Sequence, residues 1–173
     1  MLILDVDGVL TDGRIIIGND GEEFKFFNVK DGLGIKLLQK LGLVVAAITG
    51  KNSHIVQSRL SALGILDIYQ GQINKLEAFE DLLGKYKIKP EQVAYMGDDL
   101  PDLPLMQKVG VSIIPKDAHD LLKDFSDYQC ALKGGKGAVR EVCDLIYQAH
   151  GLTEKLLEDY LTIGEAGKYA AAI

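Results

Sequence analysis

Tryptophan is absent from this 173-residue chain, histidine occurs three times and cysteine twice. The missing tryptophan decides nothing, but the other scarcities narrow the chemistry. Cys130 and Cys143 form no C-x-x-C pair and sit among apolar neighbours, so they read as buried free thiols of a protein kept in a reducing compartment, the cytoplasm. Without a His/Cys cluster nothing favours zinc. Basic residues are outnumbered, 19 against 25 acidic, and the formal net charge of -6 argues against a binder of nucleic-acid backbones. A long apolar run is lacking at the N-terminus too. MLILDVDGVL is broken by Asp5 and Asp7 and is too short for a signal peptide or a membrane span. Neither nucleic acid nor membrane is an expected partner.

What is present is enough apolar material, 47% of residues beside 25% charged, to build one globular domain. Short apolar runs alternate with segments of helical period, the pattern of a Rossmann-like α/β fold with a parallel sheet flanked by helices. The expected strands are Leu2 to Val6, Val44 to Thr49, Ile68 to Gln70, Val93 to Gly97 and Val111 to Ile114, with Tyr128 to Leu132 as a sixth candidate. Leu33, Leu37, Leu38 and Leu41 mark one helix stripe. Ile55, Val56, Leu60 and Leu63 mark a second, and Leu76, Phe79, Leu82, Leu83 and Tyr86 a third. Residues 14–27 break the alternation, because two strand-like runs flank Asn19-Asp20-Gly21, a strong turn signal. A β-hairpin is therefore expected directly after the first strand, and its apolar Ile15-Ile16-Ile17 needs covering by the domain body or another subunit. A second full catalytic domain is not expected. Residues 1–150 read as a single domain and 151–173 as a C-terminal helix and tail; GEAGKYAAAI, with no packing pattern, reads as mobile.

Ligands of open α/β sheets gather beyond the carboxyl ends of the strands. The first strand delivers Asp5 and Asp7, an i, i+2 pair aimed to one side. The second delivers Thr49-Gly50-Lys51, the third Gly71 and then Lys75 at a helix start, and the fourth Asp98 and Asp99 followed by Asp102. Carboxylates so close repel one another unless a cation holds them, and a site with few carboxylates suits Mg²⁺. A phosphate ester approaching it would meet the metal, the Thr49 hydroxyl, the Gly50 N–H and the Lys75 ammonium. Asp5 can then attack phosphorus to form an aspartyl-phosphate, while Asp7 protonates the leaving oxygen and later deprotonates water.

The runs DVDGVLTDG, Thr49-Gly50-Lys51, Lys75 and GDDLPD, in this order and each after its own strand, resemble the four motifs of the haloacid dehalogenase superfamily. With QGQINK and GDDLPDLPLM, they are similar to its capless group acting on phosphorylated sugar acids, a likeness running from about Leu2 to Gly151. The resemblance implies that Asp5 is the nucleophile, that Asp7 is the acid/base, and that Asp5, the Asp7 backbone carbonyl and Asp98 hold Mg²⁺. Asp102 would stand nearby, orienting metal waters or Lys75, while Asp99, directly after Asp98, reads either as a helix-capping group or as a hydrogen bonder behind the metal carboxylates. Gly50, Lys51 and Lys75 would face the substrate. It further implies a homotetramer joined through the hairpin and a product used in lipopolysaccharide precursor synthesis. Where that group carries arginine, this chain has Lys51, which keeps the charge but loses the bidentate fork. Relatives acting on nine-carbon acids carry glutamate there, so Lys51 points to an eight-carbon octulosonate.

Two other classes of protein fit the motif order less well. A phosphoacceptor receiver domain would place its aspartate after the third strand, where this chain has Gly71. A non-catalytic oligomerisation module of the same fold would have lost the nucleophile or the acid, and both are present. Asp12, Asp20, Asp31, Asp67 and Asp117 read as turn or cap residues, His54 as surface or interface, and Arg59 as solvated or at a subunit contact.

Overall fold

The computed structural model describes residues 1–162. Its central sheet runs through β1 (Leu2–Leu4), β4 (Val45–Ile48), β5 (Asp67–Tyr69), β6 (Ala94–Met96), β7 (Val111–Ile114) and β8 (Tyr128–Gln129). They lie in the order β5-β4-β1-β6-β7-β8, and every pairing is parallel. All six expected strands are found, mostly shortened by a residue or two where the chain turns away from its partners. The last ends at Gln129 rather than Leu132.

Period-two alternation explains why both faces of the sheet are covered. On β1, Leu2 and Leu4 enter one core while Ile3 enters the other; on β4, Val45 and Ala47 part company with Ala46 and Ile48 in the same way. The first core receives α1 (Val29–Lys40), α2 (His54–Ala62) and α5 (Ala138–Ala149), through side chains such as Ile35, Leu38, Leu60 and Val142. The second receives α3 (Lys75–Tyr86) and the short α4 (Leu103–Met106), through Phe79, Leu82 and Leu105. Burying each large apolar side chain contributes about 1.5 to 3 kcal/mol. Both cysteines are buried free thiols, and burial pushes the Cys130 thiol up to about 12.

The hairpin turns where Asn19-Asp20-Gly21 directs it, closed by Gly18 N–H donating to the Glu22 carbonyl at 2.7 Å. Its ladder is short, β2 (Ile16–Ile17) against β3 (Glu23–Phe24), with one further bridge from Phe27 to Thr11. Outside the hairpin the chain gives no separate cap among the described residues. Beyond α5, α6 (Thr153–Leu161) lays Leu156 against the first core. The C-terminal stretch GEAGKYAAAI lies outside the described residues.

Asp67 and Arg59 depart from expectation, and Asp31 meets it with a partner on another helix. Asp67 is no turn residue: it is buried on β5 and accepts hydrogen bonds from Lys85 and Tyr86. Asp31 does act as a cap, but for another helix, accepting from the Arg140 N–H in the first turn of α5 at 2.8 Å. Arg59 folds back towards α1 beside Gly32, and its Nε is buried without a hydrogen-bond partner.

Candidate active site

The crevice opens where the strand order reverses around β1, beyond the carboxyl ends of β1, β4, β5 and β6. Asp5 is still bonded to the sheet, its N–H donating to the Met96 carbonyl at 2.9 Å. The chain then wraps tightly, with the Val6 carbonyl accepting from the N–H groups of Leu10 and Thr11, each at 3.0 Å. This wrap turns Asp7 out of the strand direction. Asp5, Asp7, Thr49, Gly50, Lys51, Lys75, Asp98, Asp99 and Asp102 all line one cleft of about 460 Å³, a size that suits a small ligand. The structure thus brings together every residue singled out from sequence.

Lys75 is the electrostatic centre. It is the first residue of α3, whose N-terminus is capped by the Asn74 side chain, and an ammonium there opposes the helix dipole. Two carboxylates offset that cost: Nζ lies 2.8 Å from Asp5 Oδ1 and 2.5 Å from Asp102 Oδ1. The hydroxyl of Tyr95, fully buried on β6, is 3.1 Å from Nζ and donates to Asp102 Oδ1 at 2.6 Å. Burial alone would lower the Lys75 pKa, but Asp5 and Asp102 outweigh it and hold it above its ordinary value.

Asp102 serves as a bracket. Its Oδ1 is occupied by Lys75 and Tyr95, while its Oδ2 accepts the N–H groups of Asp98 at 2.8 Å and Asp99 at 3.2 Å. A carboxylate so engaged has little capacity left for a metal. It fixes the loop that presents Asp98. Asp99 turns its own side chain to the Leu100 N–H at 2.8 Å and caps the turn, matching the capping alternative.

The donor set fits a hard divalent cation. Carboxylate oxygens of Asp5 and Asp98, with the engaged Asp102 behind them, come within 4.8 Å of one another. Burial pushes Asp5 up to about 6, against the pull of Lys75, and pushes Asp98 up to about 8 with added repulsion from Asp5 and Asp102. Carboxylates that resist ionising in the protein alone are those a cation would relieve. The Asp7 side chain stands outside this cluster.

Thr49 is buried at the end of β4, its N–H donating to the Tyr69 carbonyl at 2.9 Å. Lys51 is exposed on the cleft wall. Two contributors escaped sequence reading. Tyr95 looked like one more apolar strand residue. Lys25, in the hairpin arm, reaches Asp7 Oδ1 at 2.5 Å, and no local spacing signals that contact.

A crevice of this kind, with acidic residues just after β1 and β6, a threonine after β4 and a lysine opening α3, defines a hydrolase built for phosphoryl chemistry. The family model of haloacid dehalogenase-like hydrolases matches residues 27–142, and the chain belongs to that family. Within it, the chain is 56% identical to the 3-deoxy-D-manno-octulosonate 8-phosphate phosphatase KdsC of Salmonella typhi, over 87% of this chain and 80% of that protein. The crystal structure of the Yersinia pestis 3-deoxy-D-manno-octulosonate 8-phosphate phosphatase superposes with a TM-score of 0.87 at 52% identity, covering 88% of this chain and 83% of that one. The Moraxella catarrhalis phosphatase, solved with magnesium, phosphate and KDO, superposes with a TM-score of 0.89 at 42% identity, covering 92% and 91%. Among the described residues no helix is long and apolar enough to cross a membrane.

Proposed function

We propose that this chain hydrolyses 3-deoxy-D-manno-octulosonate 8-phosphate to the free sugar acid and phosphate, with Mg²⁺ as cofactor and an aspartyl-phosphate on Asp5. The observation that carries the reading is the Asp5–Lys75 contact at 2.8 Å beside Asp98, in a cleft shared with Thr49. Lys75 holds one Asp5 oxygen, leaving the other to attack phosphorus as the bond to the sugar oxygen breaks. Asp7 gives its proton to that oxygen and takes one from the water that later cleaves the acyl phosphate. The Thr49 hydroxyl, the Gly50 N–H and Lys75 offset the charge on the transferring group. Asp5, Asp98 and the Asp7 carbonyl would hold Mg²⁺, which supplies neutralisation of phosphoryl charge when bound. Lys51, on the cleft wall, is the group assigned to the sugar-acid carboxylate, in line with the relatives' substrate.

The hairpin supports assembly into a homotetramer, since Ile15, Ile17, Phe24 and Phe26 are each at least half exposed, at 59%, 67%, 50% and 55%. Unpaired buried thiols fit a cytoplasmic setting. The test is a panel of phosphorylated sugar acids with Mg²⁺, beside ribose 5-phosphate and an aryl phosphate. The octulosonate ester is expected to be hydrolysed fastest. Equal rates on all of them would remove the substrate assignment and leave the phosphatase. Undiminished turnover by Asp5→Asn would remove the covalent mechanism.

A further inference from the structure

Asp7, the carboxylate assigned as acid/base, is held neither by the sheet nor by Asp102. Asp7 follows the last residue bonded in β1, and its side chain is 27% exposed. Free rotation would spread its proton over many directions, yet proton transfer needs one oxygen within hydrogen-bond reach of the leaving group. Something must fix it.

That contact comes from the hairpin. Lys25 Nζ sits 2.5 Å from Asp7 Oδ1, and the Lys25 side chain is only 1% exposed. Thr11 Oγ1 lies 3.4 Å from the same oxygen. On the other side, Lys25 is steadied by Glu23 Oε1 at 3.4 Å. Alternation along this arm puts Phe24 and Phe26 outwards, half exposed, and Lys25 inwards between them. Two residues further on, Phe27 bridges to Thr11, so the register of the arm is tied to the loop carrying Asp7. One oxygen of Asp7 is therefore occupied, and Oδ2 remains for the proton.

We propose that Lys25 is a positioning residue: it clamps Asp7 Oδ1 so that Oδ2 presents its proton to the leaving-group oxygen. The inference rests on the phosphatase reading above. As phosphorus transfers to Asp5, the electron pair of the breaking P–O bond takes the proton from Asp7 Oδ2, and the Asp7 carboxylate is left paired with the Lys25 ammonium. It follows that the hairpin contributes to chemistry as well as to packing.

The test compares leaving groups by kcat/KM, which reports binding and the first phosphoryl transfer but not hydrolysis of the aspartyl-phosphate. A sugar alkoxide needs the proton; 2,4-dinitrophenolate departs without it. Lys25→Met is expected to lose about ten- to a hundredfold on the sugar-acid phosphate and less than about threefold on 2,4-dinitrophenyl phosphate, a selective loss within the range of general-acid contributions. Lys25→Arg should recover part of it. In an Asp7→Asn background, Lys25→Met should add nothing, because a residue acting through Asp7 has nothing left to position. Should Lys25→Met fail to fold, Lys25→Gln carries the same comparison. Equal losses on both esters, or a full additional loss in the Asp7→Asn background, overturn the role of Lys25 alone. A wild-type protein that turns over neither ester overturns the phosphatase reading instead.

Discussion

Gly8 and the Asp98 carboxylate are packed so closely that a Cβ on Gly8 would overlap Asp98 Oδ2. The backbone at Gly8 is left-handed, with φ +93°, so two independent constraints require glycine between Asp7 and the Asp98 carboxylate. Gly8→Ala is expected to displace Asp98 and weaken Mg²⁺ binding by about ten- to a hundredfold, as for other residues that orient metal ligands. Calorimetric titration with Mg²⁺ reads this directly. Unchanged affinity would show that Asp98 does not bind the ion.

Lys75→Met removes the ammonium from between Asp5 and Asp102 and leaves two buried carboxylates without a counter-charge. Stability without metal should fall by about 3 kcal/mol, seen as a drop of roughly 6 to 12 °C in the thermal midpoint in EDTA. Activity should fall with it. An unchanged midpoint would mean that Lys75 is a local surface charge, against its burial.

Asp31 makes a pH prediction away from the catalytic cluster. Burial pushes its carboxyl from 3.8 up to about 6, opposed by the N–H groups of Arg140 and Gly137. A raised pKa means that the folded state holds the proton more tightly than the unfolded one. Stability from this group is therefore present at low pH and is lost as pH rises from about 4 to about 6, by an amount on the order of 1 to 3 kcal/mol. Asp31→Asn keeps an acceptor for Arg140 and cannot ionise. Relative to wild type, its thermal midpoint should improve between pH 4.5 and 7.5; a constant difference would sink the prediction.

Ile17→Asp places a charge on the exposed apolar arm of the hairpin. Analytical ultracentrifugation should show a shift to smaller species with the circular dichroism of the fold retained. If Ile17→Asp sediments like the wild type, the hairpin is not the subunit contact.

Much of the site could be read without coordinates, because each strand end is a local feature. Asp5, Thr49, Lys75 and Asp98 stand immediately after, or shortly beyond, short apolar runs, and the parallel α/β pattern sends those ends to one side. The hairpin turn was equally legible, since Asn19-Asp20-Gly21 acts through its own backbone preferences. Aspartates were harder. Asp67 and Asp31 have the composition of turn residues, and only their distant partners, Lys85 with Tyr86 and the start of α5, distinguish them.

The sequence by itself determined the order of motifs, the strand and helix periods, and thereby the family of chemistry. Tertiary structure alone decided how the carboxylates divide their work. Asp102 is spent on Lys75, Tyr95 and two backbone N–H groups, whereas Asp98 stays open towards Asp5. The packing of the hairpin likewise places Lys25 against Asp7, 18 residues back along the chain. The physical reason is range: propensity and periodicity act over a few residues, while hydrogen bonds and ion pairs depend on which surfaces the folded chain brings within about 3 Å.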